Sequence, residues 1–252
     1  MIDARPASGR RLEWQVAVVC DIAVETPRVK TFVVRVDGWQ GHSPGQHVDI
    51  RLTSEDGYQA QRSYSIASPP EDELIALTVV CVDDGEVSPY LHRDLSRGDK
   101  FELRGPIGGY FVWTTAAGGP VQLIGGGSGV APLMAMLRHR ERRDHHEPAM
   151  LLYSSRSVEE IIYREELAAM AGRDPDLRII ITLTSQQPER WAGYGRRIDK
   201  AMLADVCFPP ETNPRSYVCG PTPFVESAAQ FLVELGHDPL SIKTERFGPT
   251  GG

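Results

Sequence analysis

The sequence predicts two domains in series, an antiparallel β-barrel followed by an α/β domain built on a parallel sheet. Three observations carry this. Up to Arg104 the chain runs in short Val-, Ile- and Phe-rich segments separated by turn residues. After Pro120, strand-like segments alternate with helical periods. Between the two regimes, Thr114 to Pro120 is a Thr/Ala/Gly stretch that reads as a linker. With 252 residues, each half is long enough to bury its own core.

In the first half, strands are expected at Trp14 to Val24, Val29 to Val36, His47 to Leu52, Arg62 to Ala67, Leu74 to Val82 and Lys100 to Arg104. Gly38, Gly41, Pro44-Gly45, Asp56-Gly57, Pro69-Pro70 and Arg97-Gly98-Asp99 mark the turns between them. Ser88 to Leu95 interrupts the series as a helix, with Tyr90, Leu91 and Leu95 on one face. In the second half, Val121 to Ile124 is a buried strand, followed by a Gly-rich turn and a helix to about Arg143. The pattern continues with a strand at Ala149 to Tyr153, a helix from Val158 to Ala171 and a strand at Leu177 to Leu183. A helix at Asp199 to Val206, a strand at Ser216 to Cys219, a helix at Pro223 to Leu235 and a strand at Ser241 to Thr244 complete it.

Charge and composition exclude several classes. A formal charge of −7 argues against general binding of nucleic-acid phosphates. Met1 to Arg11 is polar and lacks the apolar core of a secretory signal, and no run reaches the length of a membrane span. Cys20, Cys81, Cys207 and Cys219 lie far apart, with no CxxC pair and no cluster able to hold zinc or an iron–sulfur centre. Sparse cysteine fits a reducing compartment, so the expected location is the cytoplasm. Neither His42 with His47 nor His145 with His146 has the spacing of a metal site, and no metal is expected. Arg138, Arg140, Arg142 and Arg143 read as a solvated helix end, on which an acidic ferredoxin has room to dock.

Three short motifs carry chemistry. Gly125-Gly-Gly127-Ser128-Gly129-Val-Ala-Pro132 follows a strand and opens a helix. Glycines there let the backbone approach a pyrophosphate, and the helix N-terminus favours its charge. A tight strand–helix connection is the plainer reading of the same residues. Arg62-Ser63-Tyr64-Ser65 lies on a strand, where Arg62 and Tyr64 share a face. Gly85-Glu86-Val87-Ser88 precedes a helix, and Ser88 suits an N-cap. Were Arg62 and this helix start to converge, they would make a second anion site.

Taken together these motifs resemble the ferredoxin–NADP reductase superfamily, in particular the reductase modules of bacterial oxygenases. Arg-x-Tyr-Ser matches Arg62, Tyr64 and Ser65; Gly-x-x-Ser matches Gly85 and Ser88; Pro-Gly-Gln matches Pro44, Gly45 and Gln46. Gly-Pro-x-Gly matches Gly105, Pro106 and Gly108, the nucleotide turn matches Gly127, Gly129 and Pro132, and Cys-Gly-Pro matches Cys219, Gly220 and Pro221. The six stand in the family's order across residues 12 to 248.

The resemblance implies a Greek-key flavin-binding barrel over residues 12–113 and a Rossmann-like nicotinamide domain over residues 120–246. It implies FAD, with Arg62 on its phosphates, Tyr64 against the isoalloxazine ring, and Ser63, Val80, Val82, Gly85, Val87 and Ser88 holding the rest. Ser65 would lie near flavin N5, and Gly127, Ser128, Gly129, Gly220 and Pro221 would receive the nicotinamide dinucleotide. Cys219 would border the nicotinamide, Glu245 matches a family carboxylate beside it, and Phe247 is the candidate aromatic cover, with a glycine tail as the rival reading. The implied activity is hydride uptake from NAD(P)H onto FAD, with electrons passing to a separate ferredoxin or oxygenase component. Release of free reduced flavin and a purely electron-transferring subunit are the rival activities. No fused iron–sulfur domain is expected.

One departure bears on the coenzyme. NADP-specific relatives carry Ser-Arg after the third strand of this domain, where this chain has Thr184-Ser185-Gln186. Arg156, Arg190, Arg196 and Arg197 are the available substitutes, and with them the reading leans to NADPH over NADH.

Overall fold

The computed structural model describes residues 12–143 and 147–247. Met1 to Arg11, the His145–His146 pair and the glycine tail therefore lie outside the described residues.

Six antiparallel strands form the first sheet: β1 (Gln15–Thr26), β2 (Val29–Val36), β3 (His47–Thr53), β4 (Gln59–Ser65), β5 (Ile75–Val80) and β6 (Lys100–Ile107). Their order is β4-β3-β6-β1-β2-β5, so β6 returns to lie between β1 and β3 in Greek-key fashion. A bridge between Ile66 and Leu77 draws the two edges together into a barrel. Phe32, Ile50, Leu77 and Leu103 fill its interior, while alternate residues face out. Helix α1 (Val87–Arg93) covers one end between β5 and β6.

The second sheet is parallel, with β7 (Val121–Gly126), β8 (Ala149–Ser155), β9 (Leu177–Leu183), β10 (Arg215–Pro221) and β11 (Ile242–Phe247) in the order β11-β10-β7-β8-β9. Helices α2 (Val130–Arg142), α3 (Arg164–Arg173), α4 (Lys200–Val206) and α5 (Thr222–Glu234) cover its faces. Both faces are buried, which is why β7 reads as an unbroken apolar run: Leu123 packs on one side and Ile124 on the other. Strand order reverses between β7 and β10, and a crevice opens there at the carboxyl ends of the strands.

The two halves share a core. Phe111 and Trp113 pack with Leu133, Leu137 and Tyr217, and the Tyr217 hydroxyl donates to Val112 O at 3.0 Å. Here the structure corrects the reading of the α2 arginines. Arg138 donates to Ala67 O at 2.7 Å and pairs with Glu166, while Arg142 and Arg143 pair with Asp72 and Glu71. Arg140 is buried against Asp174 and the carbonyl of Glu147. Arg138 and Arg140 thus clamp the seam and the sheet's own helices, while Arg142 and Arg143 stay largely exposed within their ion pairs.

Two helix starts also differ from expectation. The helix expected from Val158 begins at Arg164, because Tyr163 adopts a left-handed backbone (φ 58°). Val158, Ile161 and Ile162 instead fold inward as a buried turn. Ser88 does not cap α1. It lies inside the helix, and its Oγ accepts a hydrogen bond from the Val82 N–H at 3.1 Å. Asp199, by contrast, caps α4 by accepting from Met202 N–H at 2.7 Å. No helix among the described residues is long and apolar enough to cross a membrane.

Candidate functional site

Barrel and sheet meet around one cavity of about 1220 Å³, open at the carboxyl edge of the parallel sheet. On the barrel side, β4 contributes Arg62, Ser63, Tyr64 and Ser65 to its wall. The Arg62 guanidinium bonds only the carbonyl of Gln61 (2.7 Å), and among the described residues no carboxylate pairs with it. A half-buried arginine with most of its donors unused is an anion site in waiting. Beside it the turn Gly85 to Ser88 is closed twice, by Gly85 N–H to Val82 O (2.9 Å) and by Val82 N–H to Ser88 Oγ. Val80, Val82, Val87 and the Tyr64 ring supply apolar wall between these polar ends. Burial pushes the Tyr64 hydroxyl well above its usual range, so it remains a neutral phenol.

On the sheet side, Gly127 and Ser128 turn the chain from β7 into α2 along the cavity. Gly127 has φ +55°, and a Cβ on Gly129 would stand 2.1 Å from the carbonyl oxygen of Cys219. That contact forces glycine at 129 and explains how β10 can lie against the turn. Cys219 stands between Gly125 of β7 and Glu245 of β11 in register and is fully buried. Its thiol is pushed well above the ordinary value by burial and by the neighbouring Glu245, so it is a neutral, apolar side chain packed behind the cavity. Pro221 and Phe247 close the end of the cavity, and Arg156 with Gln186 occupies the far side.

One contact joins the halves at the centre. Ser65 Oγ of the barrel donates to Glu245 Oε1 of the sheet at 3.3 Å. Burial raises the Glu245 carboxyl to about 7, opposed by that hydrogen bond.

Comparison with known proteins agrees with this architecture half by half. The model of the oxidoreductase FAD-binding domain matches residues 17–112, and that of the oxidoreductase NAD-binding domain matches residues 123–230. The chain belongs to the FAD- and NAD-binding oxidoreductases of the ferredoxin–NADP reductase superfamily. It is 33% identical to a glycine betaine monooxygenase reductase subunit of Chromohalobacter salexigens, over 82% of this chain and 56% of that one. It is 31% identical to the ferredoxin–NAD(P)+ reductase component of naphthalene dioxygenase/salicylate hydroxylase systems of a Ralstonia, over 83% and 61%. The chain thus spans less than two thirds of the length of these curated relatives. Among solved structures, the flavohaem-like FAD/NAD-binding domain of nitric oxide dioxygenase from Vibrio cholerae has a TM-score of 0.83 at 26% identity, covering 93% of this chain and 99% of that one. A ferredoxin–NADP+ reductase of Neisseria gonorrhoeae shares the fold, with a TM-score of 0.78 at 20% identity and coverage of 95% and 99%.

Within this family's fold, most residues singled out in the sequence converge. Fourteen positions from Arg62 to Phe247 wall the cavity; Gly129, Cys219, Gly220 and Glu245 stand behind that wall. Pro-Gly-Gln and Gly-Pro-x-Gly do something else: Gln46 Nε2 donates to Gly108 O at 2.7 Å, so the two motifs tie one barrel end together. Of the four arginines offered for a coenzyme phosphate, Arg156 alone lines the cavity, and Arg196 is held by Asp199 at 2.7 Å. The sequence carried no signal for Pro27, Arg28, Glu159 or Phe224's neighbour Pro223, which also line it. Pro27 and Arg28 form the tight turn between β1 and β2, Glu159 lies in the turn before α3 and Pro223 in the first turn of α5; their shared approach to the cavity depends on how the halves dock.

The residues present fit an FAD and a nicotinamide nucleotide. The cavity exceeds the roughly 300–1,000 Å³ of a single small-ligand pocket. It offers two unpaired guanidinium groups at separate ends, Arg62 and Arg156, a glycine turn with a helix N-terminus, and an apolar middle walled by Tyr64 and Phe247.

Proposed function

We propose that this chain takes hydride from NAD(P)H onto FAD and passes the electrons one at a time to a separate oxygenase component or ferredoxin. The observation that carries this is the Ser65–Glu245 contact, which brings the flavin-side strand and the nicotinamide-side strand together at the wall of the shared cavity. The relatives named as reductase subunits of oxygenase systems support the acceptor class.

Bound flavin supplies the chemistry of accepting two electrons together and releasing them singly. The protein's residues do the placing. Arg62 and the start of α1 beside the 85–88 turn would hold diphosphate charge, and Tyr64 and Phe247 would wall the ring system. Gly127 to Gly129 leave room for the second pyrophosphate at the start of α2. Fixing donor and acceptor rings in one orientation is worth about 7–11 kcal/mol of barrier. Glu245, protonated about half the time near pH 7, holds a proton within reach of Ser65 Oγ. Cys219 stays neutral and shapes the nicotinamide side.

Arg156, whose guanidinium has no hydrogen-bond or ion-pair partner among the described residues, is the group to receive a 2′-phosphate, which favours NADPH. The three half-buried cysteines and the buried fourth, all free, suit work in the cytoplasm.

Anaerobic titration of the purified protein with NADH and NADPH in parallel tests the reading through flavin absorbance. Bleaching by NADPH at lower concentration than NADH is the expected result. Absence of bleaching by either would overturn the proposal. If added free flavin, and no protein acceptor, accelerates turnover, release of reduced flavin takes its place.

A further inference from the structure

Behind the cofactor cavity, on the other side of the domain seam, lies a second cavity of about 800 Å³. Thr78 lines the first, and Thr31 and Glu25 line the second. The two threonines face each other across β2 and β5, both buried, with their hydroxyls 2.8 Å apart. Thr31 Oγ1 donates to Glu25 Oε1 at 2.8 Å. Because Thr31 spends its one proton on Glu25, Thr78 must donate to Thr31, and the Tyr163 hydroxyl, which also touches Thr78, must donate to Thr78. Every hydroxyl in the row therefore points towards the carboxylate. Thr78 keeps one lone pair spare, and it lines the cofactor cavity.

We propose that Thr78, Thr31 and Glu25 form a proton path from the cofactor cavity to the second cavity. It rests on the proposed hydride uptake and one-electron release, whose balance requires an exit. NAD(P)H gives up a hydride as its C4–H bond breaks, which is two electrons and one proton. Two one-electron acceptors take the electrons, so one proton per hydride is left behind. That proton needs a way to solvent, and Thr78 is a wall hydroxyl of the cofactor cavity whose hydrogen bonds run on to the second cavity. Thr78 Oγ1 gains it and passes its own to Thr31, Thr31 passes its own to Glu25, and the Glu25 carboxyl releases it to the solvent of the second cavity. The hydroxyls then turn back to their starting direction. Arg138 and Arg142, with Glu71, Asp72 and Glu166, also line that cavity and keep it wet and charged.

Packing alone does not ask for this arrangement. Valine has the shape of threonine, and removing both partners of a buried hydrogen bond together is close to neutral. A latch between the halves is the competing role, since Thr78 belongs to the barrel and Tyr163 to the sheet domain. The two roles differ at Tyr163, which a latch needs and the path does not.

The test follows single turnovers of the flavin-loaded protein with NADPH and cytochrome c in weak buffer containing a pH indicator. In wild type and Tyr163→Phe, proton release should keep pace with cytochrome reduction. In Glu25→Gln and Thr31→Val it should lag by roughly tenfold. Release in step with the electrons in both variants, or an equal lag in Tyr163→Phe, would overturn the path. A second readout needs no turnover: exchange of the Thr31 and Thr78 hydroxyl protons with water, measured by NMR, should slow roughly tenfold in Glu25→Gln. Unchanged exchange would overturn the path on its own. A wild type that NADPH does not reduce would defeat the proposed hydride uptake, and the exchange measurement would still decide the path.

Discussion

On the proposed reading, the two halves of the cavity would receive phosphate with different materials. The barrel does it with side chains: an unpaired guanidinium at Arg62 and a turn closed by the Ser88 hydroxyl. The sheet domain does it with backbone: Gly127 in a left-handed conformation and Gly129 pressed against the Cys219 carbonyl. The difference teaches where each half is vulnerable. A side-chain site loses affinity when an atom is taken away, and a backbone site loses its shape when one is added.

The largest effect expected is on the backbone side. Gly129→Ala puts a Cβ into the Cys219 carbonyl and should cost about 3 kcal/mol of stability, measured by denaturant unfolding. Gly127→Ala, with open space around it and only the left-handed backbone to pay for, should cost about 1 kcal/mol. Equal costs at the two positions would break the distinction drawn here.

At the junction, Glu245 adds a pH signature. Its folded-state value of about 7 lies above the ordinary 4.5, so the folded protein holds this proton more tightly than the unfolded chain does. The associated stability is complete below pH 4.5, is lost as pH rises towards 7, and amounts to about 3 kcal/mol. Glu245→Gln should erase this loss, melting no lower than wild type at pH 5 and higher at pH 8. Parallel melting curves at both pH values would show that the carboxyl is solvated.

On the side-chain half, Arg62→Ala should weaken FAD binding by about 10- to 100-fold, the worth of a charged hydrogen bond, with the fold intact. Isothermal titration against the refolded, flavin-free protein measures it, and unchanged affinity would remove Arg62 from the site. The smallest effect belongs to Arg156→Ala, which should raise KM for NADPH roughly tenfold and leave NADH alone. A wild type with the higher kcat/KM for NADH would show that Thr184-Ser185-Gln186 was the better guide.

Much of this was legible because local signals and the fold agree. Val29 to Val36 and Leu177 to Leu183 were readable to the residue, since β-branched runs bounded by turns leave little choice. The glycine turn from β7 into α2 was readable because glycine patterns report backbone needs. What failed depended on contacts distant in sequence. Nothing local marks Tyr163 as left-handed; its hydroxyl and the Arg138 guanidinium over its ring fix it there from other elements. Arg138 and Arg140 look solvated until Glu166, Asp174 and the Ala67 carbonyl, all distant in sequence, close over them. Ser88 has the residue type of a cap, and its hydroxyl is spent on Val82 instead.

The shared core under the seam also limits how such a two-domain fold can be recombined. Phe111 packs edge-on against Tyr217 with ring centres 5.5 Å apart, and the Val112 carbonyl takes bonds from both Tyr217 and Lys243. Residues 111–113 therefore belong, by contact, to the half that follows them. A chimera that grafts another relative's nicotinamide half at the obvious linker, 114–120, would leave those three residues facing foreign partners. The productive crossover lies before Phe111, between the last barrel strand and the first residue that the other half holds.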